Sequence, residues 1–202
     1  TALTGHILKQ SGIPLQVGGN IGTPPATMVK TSRPGQWNVL ELSSFQLETT
    51  DTFRAHIGAA LNVTPDHLDR YDSMDAYAAA KANIFRNQSP DDIAVINADN
   101  DWAVRMGARS VARVVSFSRL REVENGVFLR GDTIIQREGH RDARGEQTLL
   151  TRDDIPLPGD HNVENVMAAL AAGLACGAPV DSMRATVRNF KGVEHRLEFV
   201  AE

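Results

Sequence analysis

HIGAALNVTPDHLDRYDSMDAYAAAKANIFRNQSPDDIAVINAD, residues 56–99, decides the fold. Its two ends, HIGAALNV and DIAVINAD, are apolar runs without alternation, as in strands buried on both faces. Between them, SMDAYAAAKANIFRNQ is alanine-rich and carries Met74, Tyr77, Ala78, Ile84 and Phe85 at three- and four-residue spacing, the stripe of a packed helix. Strand, crossover helix, strand is the unit of a parallel sheet. Outward from this unit the alternation continues. Upstream, TALTGHILKQSG reads as a helix closed by Gly12, IPLQVGG as a strand entering a glycine turn, TPPATMVK as a helix with Thr23 as cap and Pro24 at its first position, and NVLEL as a strand. Downstream, ARVVSFS is a strand, GDHNVENVMAALAAGLACGAP a helix ended by Gly177, Ser182 to Asn189 a shorter helix, and EHRLEFVAE a strand. The expected fold class is α/β, a mostly parallel sheet flanked by helices, in one domain over residues 1–202.

From about Leu120 to Leu157 the texture changes. GVFLRGDTIIQREGHRDARGEQTLLTRDDIPL has short alternating runs broken by Gly-Asp and Arg-Gly turns, which predicts a small antiparallel annex, residues 120–157.

Composition narrows the partners. A formal charge of -4 and a pI near 5.9 leave no basic footprint, so nucleic acid and anionic membranes are not expected partners. The stretch VMAALAAGLACGAPV is too short and glycine-broken to span a bilayer, and the first residues lack the pattern of a secretory signal. Cys176 is the only cysteine, which rules out an intramolecular disulfide and suits a reducing compartment. A cytoplasmic protein acting on small molecules is expected.

In parallel sheets, ligands bind beyond the carboxyl ends of the strands, and unusual polar residues fall at those ends here. Asn20 follows LQVGG, Glu41 closes NVLEL, and Asn62 and His67 follow GAAL. A carboxylate and an imidazole on one such edge suit Mg2+ at a nucleotide phosphate. The plain alternative is that Glu41 merely ends a strand and that His67 lies in the first turn of a helix capped by Thr64. Lys81 falls within the apolar stripe of its helix. It either snorkels or is carbamylated, becoming a carboxylate-like metal ligand. Asn162 and Asn165 stand one turn apart at a helix start, where amides can read an adenine; the plain alternative is capping by Asp160 or Asn162, with Asn165 solvated. Arg196 could meet phosphate or be a surface charge.

GGNIGTPP, LELSSFQLETT, LNVTPDHLDRY, YAAAKANIF, INADND, GDHNVENVMAAL and GVEHRLEF together resemble, in order, the central ATP-binding domain of the Mur ligases, a family whose wider circle includes the folylpolyglutamate synthases. LELSSFQLE and DHLDRY are similar to the branch that adds D-glutamate. The resemblance implies an ATP-dependent amide ligase of peptidoglycan synthesis that joins D-glutamate to UDP-N-acetylmuramoyl-L-alanine through an acyl phosphate, with ATP and Mg2+. It implies Glu41 on the Mg2+ that bridges the ATP phosphates, and His67 with carbamylated Lys81 on a second metal. Asn20, Ser43 and His67 would lie toward the substrate, and Asn162, Asn165 and Arg196 toward the nucleotide. Two other readings stay open: a non-catalytic module on the same fold, and a related Mur ligase adding another amino acid.

Such ligases carry a phosphate loop of the form G-T-x-G-K-[ST], and no such segment occurs within these 202 residues. The resemblance therefore implies a central-domain piece, truncated at its N-terminus, of a larger enzyme. By itself the 202-residue chain is expected to show no ligase or ATPase activity and to bind MgATP weakly, since the amides and lysine that grip the triphosphate are missing. Titration calorimetry with MgATP checks this, and tight, saturable binding would overturn it.

Overall fold

The computed structural model describes residues 1–66, 69–139 and 145–192. Helices α1 (Ala2–Gln10), α2 (Pro25–Met28), α3 (Ser44–Glu48), α4 (Met74–Ala82), α5 (Asp101–Gly107), α6 (Asp160–Ala175) and α7 (Val180–Arg188) surround two sheets. Strands β1 (Leu15–Gly19) and β2 (Trp37–Glu41) form a parallel pair, with Leu15 opposite Trp37 and Gly19 opposite Glu41. Strands β3 (Ile57–Ala60), β4 (Ile93–Asn97), β5 (Arg113–Ser118), β6 (Gly126–Arg130), β7 (Thr133–Arg137) and β8 (Glu146–Thr151) form one sheet in sequence order. Pairing is parallel from β3 to β6 and antiparallel from β6 to β8. The fold class is the expected one. The antiparallel strands continue the parallel sheet through β5, so they widen it at one edge.

The apolar run of β4 is buried at all five positions because helices cover both faces. Val95 packs on one side with α1 and α6, while its neighbours Ala94 and Ile96 pack on the other with α4 and α5, the two-residue alternation of a strand. Helix α6 is buried along most of its length, from Val163 and Val166 to Met167 through Gly173. Gly173 permits close approach from two sides: a Cβ there would stand 3.1 Å from Cγ2 of Ile7 on α1 and 2.9 Å from Sδ of Met183 on α7. Each of the longer crossover helices opens on a side-chain cap, with Ser73 accepting from the Ala76 amide at 3.2 Å and Asn100 from that of Ala103 at 3.0 Å.

Several local expectations change. Thr23 does not cap α2. The cap position belongs to Pro24, whose ring has no acceptor to offer the first-turn amides, while the Thr23 carbonyl accepts from the Gly19 amide at 2.9 Å across the glycine turn. No helix starts at Thr64 among the described residues 61–66, where Val63 instead donates to Asn100. Gly12 and Gly177 close their helices with positive φ, as expected. Helices α3 and α5 were not anticipated, and the whole of EHRLEFVAE, with its expected strand, lies outside the described residues. No helix among the described residues is long and apolar enough to cross a membrane. At the sheet edge, Arg184 of α7 donates from its guanidinium to the carbonyls of Thr148 and Leu149 on β8.

The amino ends of β3 and β4 are tied by one carboxylate. Asp92, with its side chain 1% exposed, accepts from Arg54 at 2.7 and 3.0 Å and from the Ser89 amide at 2.6 Å, and lies 2.9 Å from Nδ1 of His56. The Arg54 guanidinium first, then the Ser89 amide and His56, outweigh burial and hold its carboxyl well below the ordinary value of 3.8. A depressed carboxylate contributes stability that is complete above the ordinary range and is lost as pH falls through it and beyond. Urea midpoints measured on acidification should therefore drop steeply through the aspartate range. Asp92→Asn should start lower at neutral pH and fall less; parallel curves for the two proteins would contradict this.

Candidate functional site

The carboxyl ends of the parallel strands carry the polar residues singled out from sequence. Asn20 and Glu41 meet directly, the Asn20 amide donating to the Glu41 carbonyl at 2.6 Å where β1 and β2 end side by side. That contact depends on Gly19, which has φ 123 and would place any Cβ 2.1 Å from the Glu41 carbonyl oxygen. The chain leaves β2 and turns at once into α3, so Glu41 stands, half-buried, between a strand end and a helix start. Ser43 is the cap of α3 in a reciprocal box. Its hydroxyl accepts from the Gln46 amide at 3.3 Å, and the Gln46 side chain accepts from the Ser43 amide at 2.9 Å. Helix α3 then docks on the end of α4, with Asn83 Nδ2 donating to the Leu47 carbonyl at 3.1 Å.

Lys81 is half-buried on the inward stripe of α4, among Tyr77, Ala78 and Phe85, as its position in the sequence indicates. Its Nζ stands 4.9 Å from the centroid of the Tyr77 ring, a cation over an aromatic face. Asn162 and Asn165 are brought together at the start of α6, Asn165 Nδ2 lying 3.5 Å from Asn162 Oδ1, while Asn162 Nδ2 donates to the Pro158 carbonyl at 2.8 Å. Neither Asp160 nor Asn162 caps this helix. It starts from Gly159, with φ 92, and Asp160 is held instead by Arg119 and Arg152. His67 and Arg196 lie outside the described residues.

A relay of three residues not singled out from sequence joins the loops along this edge. Asn100, after β4, accepts from the Val63 amide after β3 at 3.3 Å. The adjacent Asp99 accepts from the hydroxyl of Ser118, the last residue of β5, at 2.6 Å and from the amides of Arg119 and Leu120 just after it at 2.7 and 3.2 Å. Arg119 in turn pairs with Asp160 and Glu164, each at 3.1 Å, in the first turns of α6. The ends of β3, β4 and β5 and the start of α6 are thus one connected rim. The polar cluster INADND directly behind an apolar strand was the available signal.

Glu41 offers hard oxygen donors, and no group of three or more His, Cys, Asp or Glu suited to a metal occurs among the described residues. A single carboxylate fits Mg2+, which keeps several waters and takes one or two carboxylates together with substrate phosphates. It does not make an all-protein cage.

A parallel α/β sheet with its polar groups gathered on the carboxyl edge is the layout of proteins that bind a ligand across strand ends. Comparison with known proteins gives the family: the model described as the Mur ligase middle domain matches residues 1–173, and the chain belongs to that family. It is 47% identical over 201 residues to the UDP-N-acetylmuramoylalanine--D-glutamate ligase of Koribacter versatilis, covering 100% of this chain and 44% of that protein. Identity to the ligase of the same name from Acidobacterium capsulatum is 49% over 202 residues, covering 100% of this chain and 43% of that protein. The chain thus spans less than half the length of these curated relatives. Among solved structures, MurF from Acinetobacter baumannii superposes with a TM-score of 0.73 at 20% identity, over 99% of this chain and 45% of that one. A UDP-N-acetylmuramoyl-L-alanyl-D-glutamate--2,6-diaminopimelate ligase gives 0.72 at 21%, over 100% and 46%. These two likenesses establish the fold.

Gly19→Ala should destabilise the chain by about 1–3 kcal/mol through forced backbone strain at the Glu41 contact. The same change at Gly12, which a Cβ would leave uncrowded, isolates the cost of the φ angle alone. Urea unfolding of both variants measures the difference, and equal losses would mean that the contact with Glu41 contributes nothing.

Proposed function

We propose that the protein containing this chain is an ATP-dependent ligase that joins D-glutamate to UDP-N-acetylmuramoyl-L-alanine in peptidoglycan synthesis, in the cytoplasm, and that this chain is its central nucleotide-binding domain. The observation that carries the proposal is the 47–49% identity, over the whole chain, to relatives bearing that name. The gathering of Asn20, Glu41, Ser43 and the Asn162–Asn165 pair at strand and helix ends supports it.

The reaction transfers a phosphoryl group from ATP to the terminal carboxylate of the substrate. The amine of D-glutamate then attacks the acyl phosphate, forming the amide and releasing phosphate. No enzyme nucleophile is needed, so the side chains position and neutralise. Glu41 would hold Mg2+, which would supply positive charge to offset that on the phosphoryl oxygens. His67 and Lys81, the latter as its carbamate, would hold a second metal, which would offset charge on the substrate carboxylate. Asn162 and Asn165 face the adenine, each amide able to donate and accept, and Arg196 faces the ribose or phosphate side. Asn20 and Ser43 flank the reacting end of the substrate, Ser43 through whatever capacity its hydroxyl retains beyond capping α3. Helix α6, anchored by Arg119, gives the asparagine pair a rigid base.

The full-length protein should release phosphate from MgATP only when both UDP-N-acetylmuramoyl-L-alanine and an amino acid are supplied, with D-glutamate preferred. Preference for another amino acid would assign a different Mur ligase, and no turnover with any would favour a non-catalytic module. Glu41→Ala and His67→Ala should each lower the rate by about two orders of magnitude, the scale of lost electrostatic stabilisation, with melting little changed. Lys81→Ala should be nearly inactive and partly rescued by acetate at constant ionic strength. Full activity without additive would remove Lys81 from the site.

A further inference from the structure

Phe45 on α3, Tyr71 between β3 and α4, and Tyr77 on α4 form a continuous aromatic stack with a cation at each end. The rings of Phe45 and Tyr71 are parallel to within 7° at 6.2 Å, and those of Tyr71 and Tyr77 meet at 5.1 Å and 43°. The Arg70 guanidinium stands 4.9 Å from the Phe45 centroid, and Lys81 Nζ stands 4.9 Å from that of Tyr77. Arg70 also pairs with Glu48 of α3 at 2.8 Å. The stack and the ion pair therefore clamp α3 to residues 70 and 71, and the far end of the stack is the face on which Lys81 rests.

Tyr71 is the middle ring. It is buried, and its hydroxyl lies beside Ser44, Glu48 and Arg70, so the phenol adds to the clamp on α3. Its ring packs on that of Tyr77, itself buried, at 5.1 Å. The Tyr77 face is the negative side of its quadrupole. It attracts an ammonium and disfavours an anion.

We propose that Tyr71 is a positioning residue for Lys81: acting through Tyr77, it sets where Nζ stands and hence how readily the amine leaves the ring to become a carbamate. This rests on the reading of Lys81 given above. In that step Lys–NH3+ loses a proton, and the nitrogen lone pair attacks the carbon of CO2. One C–O π pair moves onto oxygen and a second proton leaves, giving Lys–NH–COO– and two protons in all. The new anion is no longer held over the aromatic face, so the group swings away from Tyr77 by a path whose start the stack defines.

The test uses the full-length protein and two readouts: steady-state kinetics as a function of bicarbonate, and the carbamate carbon signal in NMR with 13C-bicarbonate. Tyr71→Leu, which keeps bulk and removes the ring, should lower kcat about tenfold or more, the scale of a misplaced group. Its KM for ATP should stay within about twofold, since the asparagine pair is untouched. It should also shift by several-fold the bicarbonate needed for half-maximal rate and for half-maximal carbamate signal. Tyr71→Phe, which keeps the ring, should restore both. Wild-type bicarbonate dependence in folded Tyr71→Leu sinks the proposal. If Tyr71→Leu does not fold, Phe45→Leu at the more exposed end of the stack should give the same shift in weaker form, and its absence there is equally fatal. Lys81→Ala separates the two levels. Inactive Lys81→Ala beside unaffected Tyr71→Leu overturns this inference alone, whereas fully active Lys81→Ala overturns the reading beneath it as well.

Discussion

The packing of α1 against α6 is the contact on which the arrangement of the molecule depends. Among the described residues, β1 and β2 share no ladder with the other six strands. What connects them is a single apolar cluster in which Leu3, Ile7 and Leu8 of α1 meet Val166, Met167 and Leu170 of α6, with Val39 of β2 and Val95 of β4 reaching it from the two sheets. Ile7, Leu8, Met167 and Leu170 have no exposed surface. Loosening this contact would let the half of the site that carries Asn20 and Glu41 move relative to the half that carries the asparagine pair. Gly173 makes the approach close, and a larger residue there would press on α1 and α7 together.

A second constraint acts at the rim. Loops at strand ends have backbone groups that must be satisfied without a ladder, and here side chains from neighbouring loops supply the partners. Asp99 takes a hydroxyl from the last residue of β5 and two amides from the loop after it. Asn100 serves a second loop and its own helix at once. This rim accounts for how polar residues far apart in sequence share an edge with fixed spacing, the condition for catalysis by positioning.

Strands β1 to β5 and helices α1, α4, α6 and α7 were legible because each is long enough, or apolar enough, to display its period. Helices α3 and α5, at five and seven residues, are too short for that, and their caps at Ser43 and Asn100 were the only local traces. The joining of β6 to β5 is a pairing between Ser116 and Gly126 and their neighbours that no local pattern encodes, which is why the antiparallel strands read as a separate piece. Asn20, Glu41 and Lys81 were legible as polar residues where apolar ones belong. Asp99 and Arg119 were not, since their roles exist only when three loops meet. The coupling of LELSSFQLE to DHLDRY was visible as two motifs but not as one object. In space Phe45 stacks on Tyr71, and Glu48 pairs with Arg70.

The guanidinium of Arg184 on the carbonyls of Thr148 and Leu149 also bears on solubility. An outer strand with open backbone acceptors is a template for strands from other molecules, and natural sheets guard such edges with charge or cover. Here the guard belongs to α7, not to β8, so it is in place only once that helix has docked. Without that helix the strand EQTLLT, outermost among the described residues, would present these acceptors to a pairing partner.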